Sequence, residues 1–243
     1  LKILKKTCMA LGAFMLFFIL LGLAGLLLAD KETAVKMPKN MVLVYNMDKP
    51  LPETLAPPSL SAPFESSSLT VQNFIDTLDI AQKDKRVHGL VVKLNSAGVE
   101  LSHIQEIRKA LAAFKAAGKF AYIYSPSFSD LGSGMGAYYL ASSFDEIWMQ
   151  PVGFLSFTGM SLEMPFARGL LDKVGVAPEF LHREEYKSAM ESFTNTSMSP
   201  ANREMMQSIL NEFSQQVLKD VAADREIPSE KLQAYINQGL FTG

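Results

Sequence analysis

Gly89-Leu-Val-Val-Lys-Leu94, Ser102-His-Ile-Gln-Glu-Ile-Arg-Lys-Ala-Leu-Ala-Ala-Phe114 and Phe120-Ala-Tyr-Ile-Tyr124 follow one another with different hydrophobic periods. The first and third are short apolar runs rich in β-branched and aromatic residues, the pattern of buried strands. The middle one spaces Ile104, Ile107, Leu111 and Phe114 as one face of a helix, with Ser102 as predicted cap and Gly118 as predicted stop. Two strands joined through a helix of this length form a crossover unit with parallel strands. The fold class expected from these residues is therefore α/β.

The same alternation extends in both directions. Towards the N-terminus, Thr70 is placed to cap a helix whose apolar stripe is Val71, Phe74, Ile75, Leu78 and Ile80–Ala81, and Met41–Tyr45 is a short strand. Between them lies a Pro/Ser-rich stretch (Pro50, Pro52, Pro57, Pro58, Pro63, Ser66, Ser67, Ser68) expected to be extended, as a linker or as an arm wrapping a neighbouring subunit. Towards the C-terminus, the pattern predicts a small-residue helix over 132–143, a strand over 146–149 and a helix over 164–174. A strand over 179–182 and amphipathic helices over 200–223 and 229–237 follow. The chain does not begin with Met and stops at Gln238-Gly-Leu-Phe-Thr-Gly243 without a closing element, so it is expected to be a piece of a longer protein.

The 243 residues are 48% apolar and 20% charged, ordinary for a folded domain with a core. One block departs from that average. From Cys8 to Ala29 the sequence carries no charge, and as a helix it would span about 33 Å, enough for the hydrocarbon core of a bilayer. Lys2, Lys5 and Lys6 precede the block and place that end in the cytoplasm. The expected organisation is a cytoplasmic end (1–7), a transmembrane anchor (8–29), a strand with an extended arm (30–69) and an α/β domain (70–243). The last would face the periplasmic or extracellular side of the inner, cytoplasmic membrane. A cleaved signal peptide is the competing reading, although its apolar region is usually shorter. Without the three N-terminal lysines, 20 basic residues remain against 25 acidic ones, a net charge of −5 that gives no footprint for nucleic acid. The single cysteine, Cys8, excludes an intrachain disulfide and a cysteine cage for metal.

Few residues suggest chemistry on their own. His88, His103 and His182 have no metal-ligand spacing, and no cofactor is expected. Gly132, Gly134 and Gly136 do not match a phosphate loop and fit close helix–strand packing better; Ser133 is not in a nucleophile elbow. Lys187, in the polar segment His182-Arg-Glu-Glu-Tyr-Lys-Ser-Ala-Met-Glu-Ser-Phe193, can serve as a general base if desolvation favours its neutral amine.

The ordered motifs Gly118-Lys119, Ala137-Tyr-Tyr-Leu-Ala-Ser142, Ile147-Trp148, Gly159, Leu171-Asp-Lys-Val-Gly175, Glu185-Tyr-Lys-Ser-Ala189 and Met198-Ser-Pro200 resemble signal peptide peptidases of the SppA type, also called protease IV. The likeness runs from about Val42 to Gly243. It implies a ClpP/crotonase-like spiral and a Ser–Lys dyad acting on cleaved signal peptides or similar apolar peptides. In the family's short form a serine precedes a Gly-Gly-Tyr-Tyr-like helix start, and here Met135 holds that position while Lys187 matches the lysine. That combination implies the N-terminal half of the long tandem form. Lys187 would then be the base, and the nucleophilic serine would come from a C-terminal half beyond residue 243, across a subunit contact in a homo-oligomer. The turn Asn95-Ser-Ala-Gly-Val99, where the family's folds place oxyanion donors, lacks a Gly-Gly pair, so an incomplete oxyanion hole is expected. Two rivals remain: a catalytically silent crotonase-like scaffold at the membrane, and an acyl-CoA enzyme of the crotonase type, which an anchor facing out of the cytoplasm opposes.

Overall fold

The structure is a computed structural model that describes residues 11–23, 37–49, 51–54, 69–95, 100–128 and 134–242. The chain divides into two compact units, Leu1–Lys39 and Asn40–Gly243. In the first, residues 11–23 are helical with exposed apolar side chains. Among the described residues no helix is long and apolar enough to cross a membrane. The spanning helix expected over 8–29 is therefore not found there; its flanks, with Cys8 and the N-terminal lysines, lie outside the described residues, as do 55–68 of the Pro/Ser-rich stretch.

The second unit is built on a four-stranded parallel sheet in the order β1 (Met41–Met47), β2 (Val87–Leu94), β3 (Phe120–Ser125), β4 (Glu146–Met149). The crossovers are α1 (Val71–Lys83), α2 (Leu101–Ala116) and α3 (Met135–Ser142). The α/β expectation holds, and the strand segments quoted above are β2 and β3. The core lies between sheet and helices: Leu90, Val92, Leu94, Ala121 and Ile123 meet Phe74, Leu78, Ile104, Ile107, Leu111 and Phe114. Each of these side chains except Ala121 contributes roughly 1.5–3 kcal/mol by leaving water. The stripe on α1 is as expected except at Ile80, which points to solvent.

Capping is partly as expected. Thr70 caps α1 in a reciprocal box with Asn73, and Gly118, at φ +80°, accepts the left-handed turn that ends α2. Ser102, however, is not a cap: α2 starts at Leu101 with Glu100 at the N-cap, and no side chain bonds there. Ile104 N instead closes the first turn on Glu100 O at 3.0 Å.

Beyond β4 the sequence was less legible. A two-stranded antiparallel sheet pairs β5 (Phe154–Ser156) with β6 (Leu240–Thr242), so the segment read as lacking a closing element is a strand. The helix expected over 164–174 shortens to α4 (Arg168–Lys173), because the preceding residues bond elsewhere than to a helical turn: Ala167 N donates to Ser192 O at 2.6 Å and Met164 Sδ accepts from Asn202. The strand expected over 179–182 has no ladder and is exposed coil. After a short helix α5 (Glu191–Thr194) come α6 (Pro200–Asp224) and α7 (Ser229–Gln238), close to their predicted bounds.

Candidate functional site

The entrance to α3 is the position at which the resemblance leads us to expect a nucleophile. Phe128 N donates to Phe154 O (2.8 Å) and Gly134 N to Ser156 O (2.7 Å), so β5 fixes both ends of the connection from β3. A Cβ on Gly134 would lie 2.2 Å from Phe128 O, so close approach explains this glycine. Met135 follows as the first residue of α3 and is buried. A thioether has no proton to give up and cannot form the alkoxide that attacks a carbonyl. Ser133 and residues 96–99 of the expected oxyanion turn lie outside the described residues; Asn95 is held by Asp48 through its side-chain amide.

A polar clamp joins α2, α3 and α6. Arg108 donates to Tyr139 O (2.6 Å) and Ser142 Oγ (2.9 Å), pairs with Asp224 (2.7 Å) and stacks 4.2 Å from the Tyr139 ring centroid. Ser142 donates to Asp224 at 2.8 Å, and Tyr139 Oη donates to Asp220 at 2.6 Å. Burial first, then the bond to Asp220, pushes the Tyr139 hydroxyl up to about 12, against the pull of Arg108. Burial also raises Tyr138, whose ring stands edge-on to Phe157 and Phe128. These groups hold α3 rigidly; none is placed as a base.

Lys187 lies in the loop between α4 and α5 and its side chain is exposed. The loop makes a turn at Glu184, a non-glycine residue at φ +66°, with Lys187 N donating to Glu184 O at 3.4 Å. Its neighbour Ser188 is buried, and Tyr186 Oη donates to Glu204 of α6 at 3.3 Å; the charge of Glu204, with burial secondary, raises the Tyr186 hydroxyl. Among the described residues no hydrogen bond or ion pair joins the Lys187 ammonium to a serine, and none links it to Met135. Large apolar side chains are exposed on either side of it: Phe180, Leu181, Tyr186, Met190 and Phe193.

Glu191, Ser199 and Asn202 also lie beside this loop, and the sequence reading passed over the first and last. The Glu191 carboxylate accepts from Ser199 N (3.0 Å), Ser199 Oγ (2.5 Å) and Asn202 Nδ2 (2.8 Å). The one legible signal was Ser199-Pro200 as a helix start, confirmed by Ser199 Oγ capping Asn202 N at 3.2 Å. Elsewhere, His88 bonds Asn40 and His182 contacts Glu184 O, and among the described residues no three His, Cys, Asp or Glu side chains are grouped to hold a metal ion. An open groove of about 420 Å³ between α1 and α2, lined by Asp76, Asp79, Glu106 and Lys109, contains neither Lys187 nor Met135.

Residues 127–243 match the family described as Peptidase family S49. The chain is 32% identical over 173 residues to Protease 4 of Haemophilus influenzae, covering 68% of this chain and 27% of that protein. It is 32% identical over 161 residues to Protease 4 of Salmonella typhi (66% of this chain, 25% of that protein). It is 26% identical over 176 residues to the chloroplastic serine protease SPPA of Arabidopsis thaliana (72% and 25%). The resemblance to SppA-type proteases is thus borne out, and the chain spans about a quarter of the length of these relatives. A solved enoyl-CoA hydratase/isomerase family protein from Silicibacter pomeroyi aligns over 68% of this chain and 82% of its own at 12% identity, with a TM-score of 0.24, too loose to carry an argument.

Proposed function

We propose, with residues 127–243 as a peptidase family S49 segment, that this chain is the base-supplying half of a serine peptidase of the SppA type. The single observation that carries this reading is the buried Met135 at the head of α3, where the family's motif wants a serine, in a chain that keeps Lys187. The serine would come from a C-terminal half of the same protein, in a neighbouring subunit of a homo-oligomer. The four parallel strands in sequential order support a ClpP/crotonase-like spiral.

In this reading the serine Oγ attacks a peptide carbonyl while its proton passes to Lys187 Nζ. The C–N bond then breaks and the same proton goes to the leaving amine; water hydrolyses the acyl-enzyme by the reverse use of the lysine. A lysine works as a base near neutral pH only where desolvation favours the uncharged amine. The exposed apolar side chains around Lys187 support a second surface closing over it, since apolar area leaves water when partners meet. Cleaved signal peptides or similar apolar peptides are the substrates this reading implies. The scaffold alternative rests on the same Met135 and is separated by chemistry.

Residues 30–243 expressed alone should not react with a serine-directed phosphonate, whereas the full-length protein should be labelled at a serine outside this chain. Labelling at Ser133 or any other serine of this chain would overturn the split site, and no labelling in the full-length protein would favour the scaffold.

The uncharged run 8–29 behind three lysines supports a single-pass anchor in the inner membrane with the body on the far side. A reporter fused after Gly243 should then be active only outside the cytoplasm; cytoplasmic activity would contradict this topology.

A further inference from the structure

The loop that carries Lys187 would be expected to wander, because its own residues bury little. It is pinned at two points. On one side the turn at Glu184 adopts a left-handed conformation that costs a non-glycine residue energy and so persists only when neighbours hold it. On the other, Ser188 is buried and its carbonyl accepts from Glu191 N at 3.0 Å, which starts α5 four residues after Lys187. Glu191 is in turn tied to the N-terminus of α6 by three donors: the Ser199 amide, the Ser199 hydroxyl and the Asn202 amide.

We propose that Glu191 is a positioning residue, a latch that fixes the Lys187 loop to the first turn of α6 and so sets where the amine stands. The proposal rests on the reading of Lys187 as the base. Asn202 is fully buried, its Nδ2 is committed to the Glu191 carboxylate, and its Oδ1 has no hydrogen-bond partner among the described residues. A buried amide oriented at the expense of its own oxygen shows that the carboxylate dictates the arrangement. Burial works to raise the Glu191 carboxyl, but the Ser199 and Asn202 donors and the His182 charge outweigh it and hold it below the usual range, so the latch is ionised at neutral pH. Helix α6 is 25 residues long and joined to α3 through Asp220 and Asp224 and to α2 through the pair of Asp224 with Arg108, so the latch references Lys187 to the core.

The test compares Glu191→Ala, Glu191→Gln and Lys187→Ala in the full-length protein, with kcat and KM measured on a peptide ester and thermal melting in parallel. A misplaced base lowers kcat, and a displacement near 1 Å costs roughly 10²-fold. Glu191→Ala should lower kcat by about that factor with KM within about twofold of the parent. Glu191→Gln, which keeps an acceptor oxygen of the same reach for Ser199, should recover part of the loss. If Glu191→Ala melts early or fails to fold, Glu191→Gln decides, with a loss in kcat and unchanged KM expected. Parental kcat in both Glu191 variants while Lys187→Ala is inactive overturns the latch and leaves the base standing. Parental turnover in Lys187→Ala overturns the base reading itself, and with it the latch.

Discussion

At Tyr139 a ring that packs wholly inside the molecule must still find an acceptor for its hydroxyl, and Asp220 supplies it at 2.6 Å. Ionising it would put a charge in a buried place and break the bond to Asp220, which is why, burial first and that bond second, the hydroxyl is pushed from 10.0 up to about 12. The folded value is raised above the unfolded one, so the contribution of this bond is fully present below pH ~10 and is lost as pH rises through about 12. Tyr139→Phe should cost about 1 kcal/mol in urea unfolding at pH 7. The gap to the parent should narrow between pH 10 and 12; a gap unchanged across that range would remove Asp220 as the partner that matters. Met135 and Lys187 illustrate the other side of the residue scale. Motif order drew attention to both, and no periodicity distinguishes a base from a solvated lysine.

At the scale of elements, legibility followed burial. The strands β2 and β3 and the helices α1 and α2 were visible because each buries a full stripe: Leu90, Val92 and Leu94 on one, Ile104, Ile107, Leu111 and Phe114 on another. Local signals failed where tertiary contacts decide. The cap of α2 lies at Glu100 rather than at Ser102, a shift no side-chain preference foretold. The strands β5 and β6, three residues each, pair residues 84 to 88 positions apart (Ser156 with Leu240, Phe154 with Thr242) and hold the ends of the connection before α3 through Phe154 O and Ser156 O. Helix α4 buries no residue, and Leu170 and Val174 are exposed, so no packing lengthens it to the expected bounds. The Glu191 latch was invisible for a similar reason: its partners Ser199 and Asn202 lie eight and eleven residues away.

At the scale of the molecule, the two halves of unit Asn40–Gly243 differ in how they use apolar surface. The sheet and its helices form a core, whereas residues 160–213 leave Leu162, Leu170, Phe180, Tyr186, Phe193 and Phe213 exposed, with Phe180, Tyr186 and Phe193 flanking Lys187 in sequence. In the proposed reading Lys187 needs cover, and exposed apolar side chains beside it are suited to give it. The central claim is that Lys187 of this chain is the base for a serine supplied from elsewhere. It is tested most directly by turnover of a peptide ester in the full-length protein carrying Lys187→Ala, Lys187→Arg or Lys173→Ala, the last altering an exposed lysine at the end of α4. Lys187→Ala should lower kcat by at least ~10³-fold with melting unchanged. Lys187→Arg should be equally inactive, because a guanidinium stays protonated and cannot take a proton from serine. Lys173→Ala should match the parent. Near-parental turnover in Lys187→Arg, or a loss in Lys173→Ala as large as in Lys187→Ala, would contradict the account.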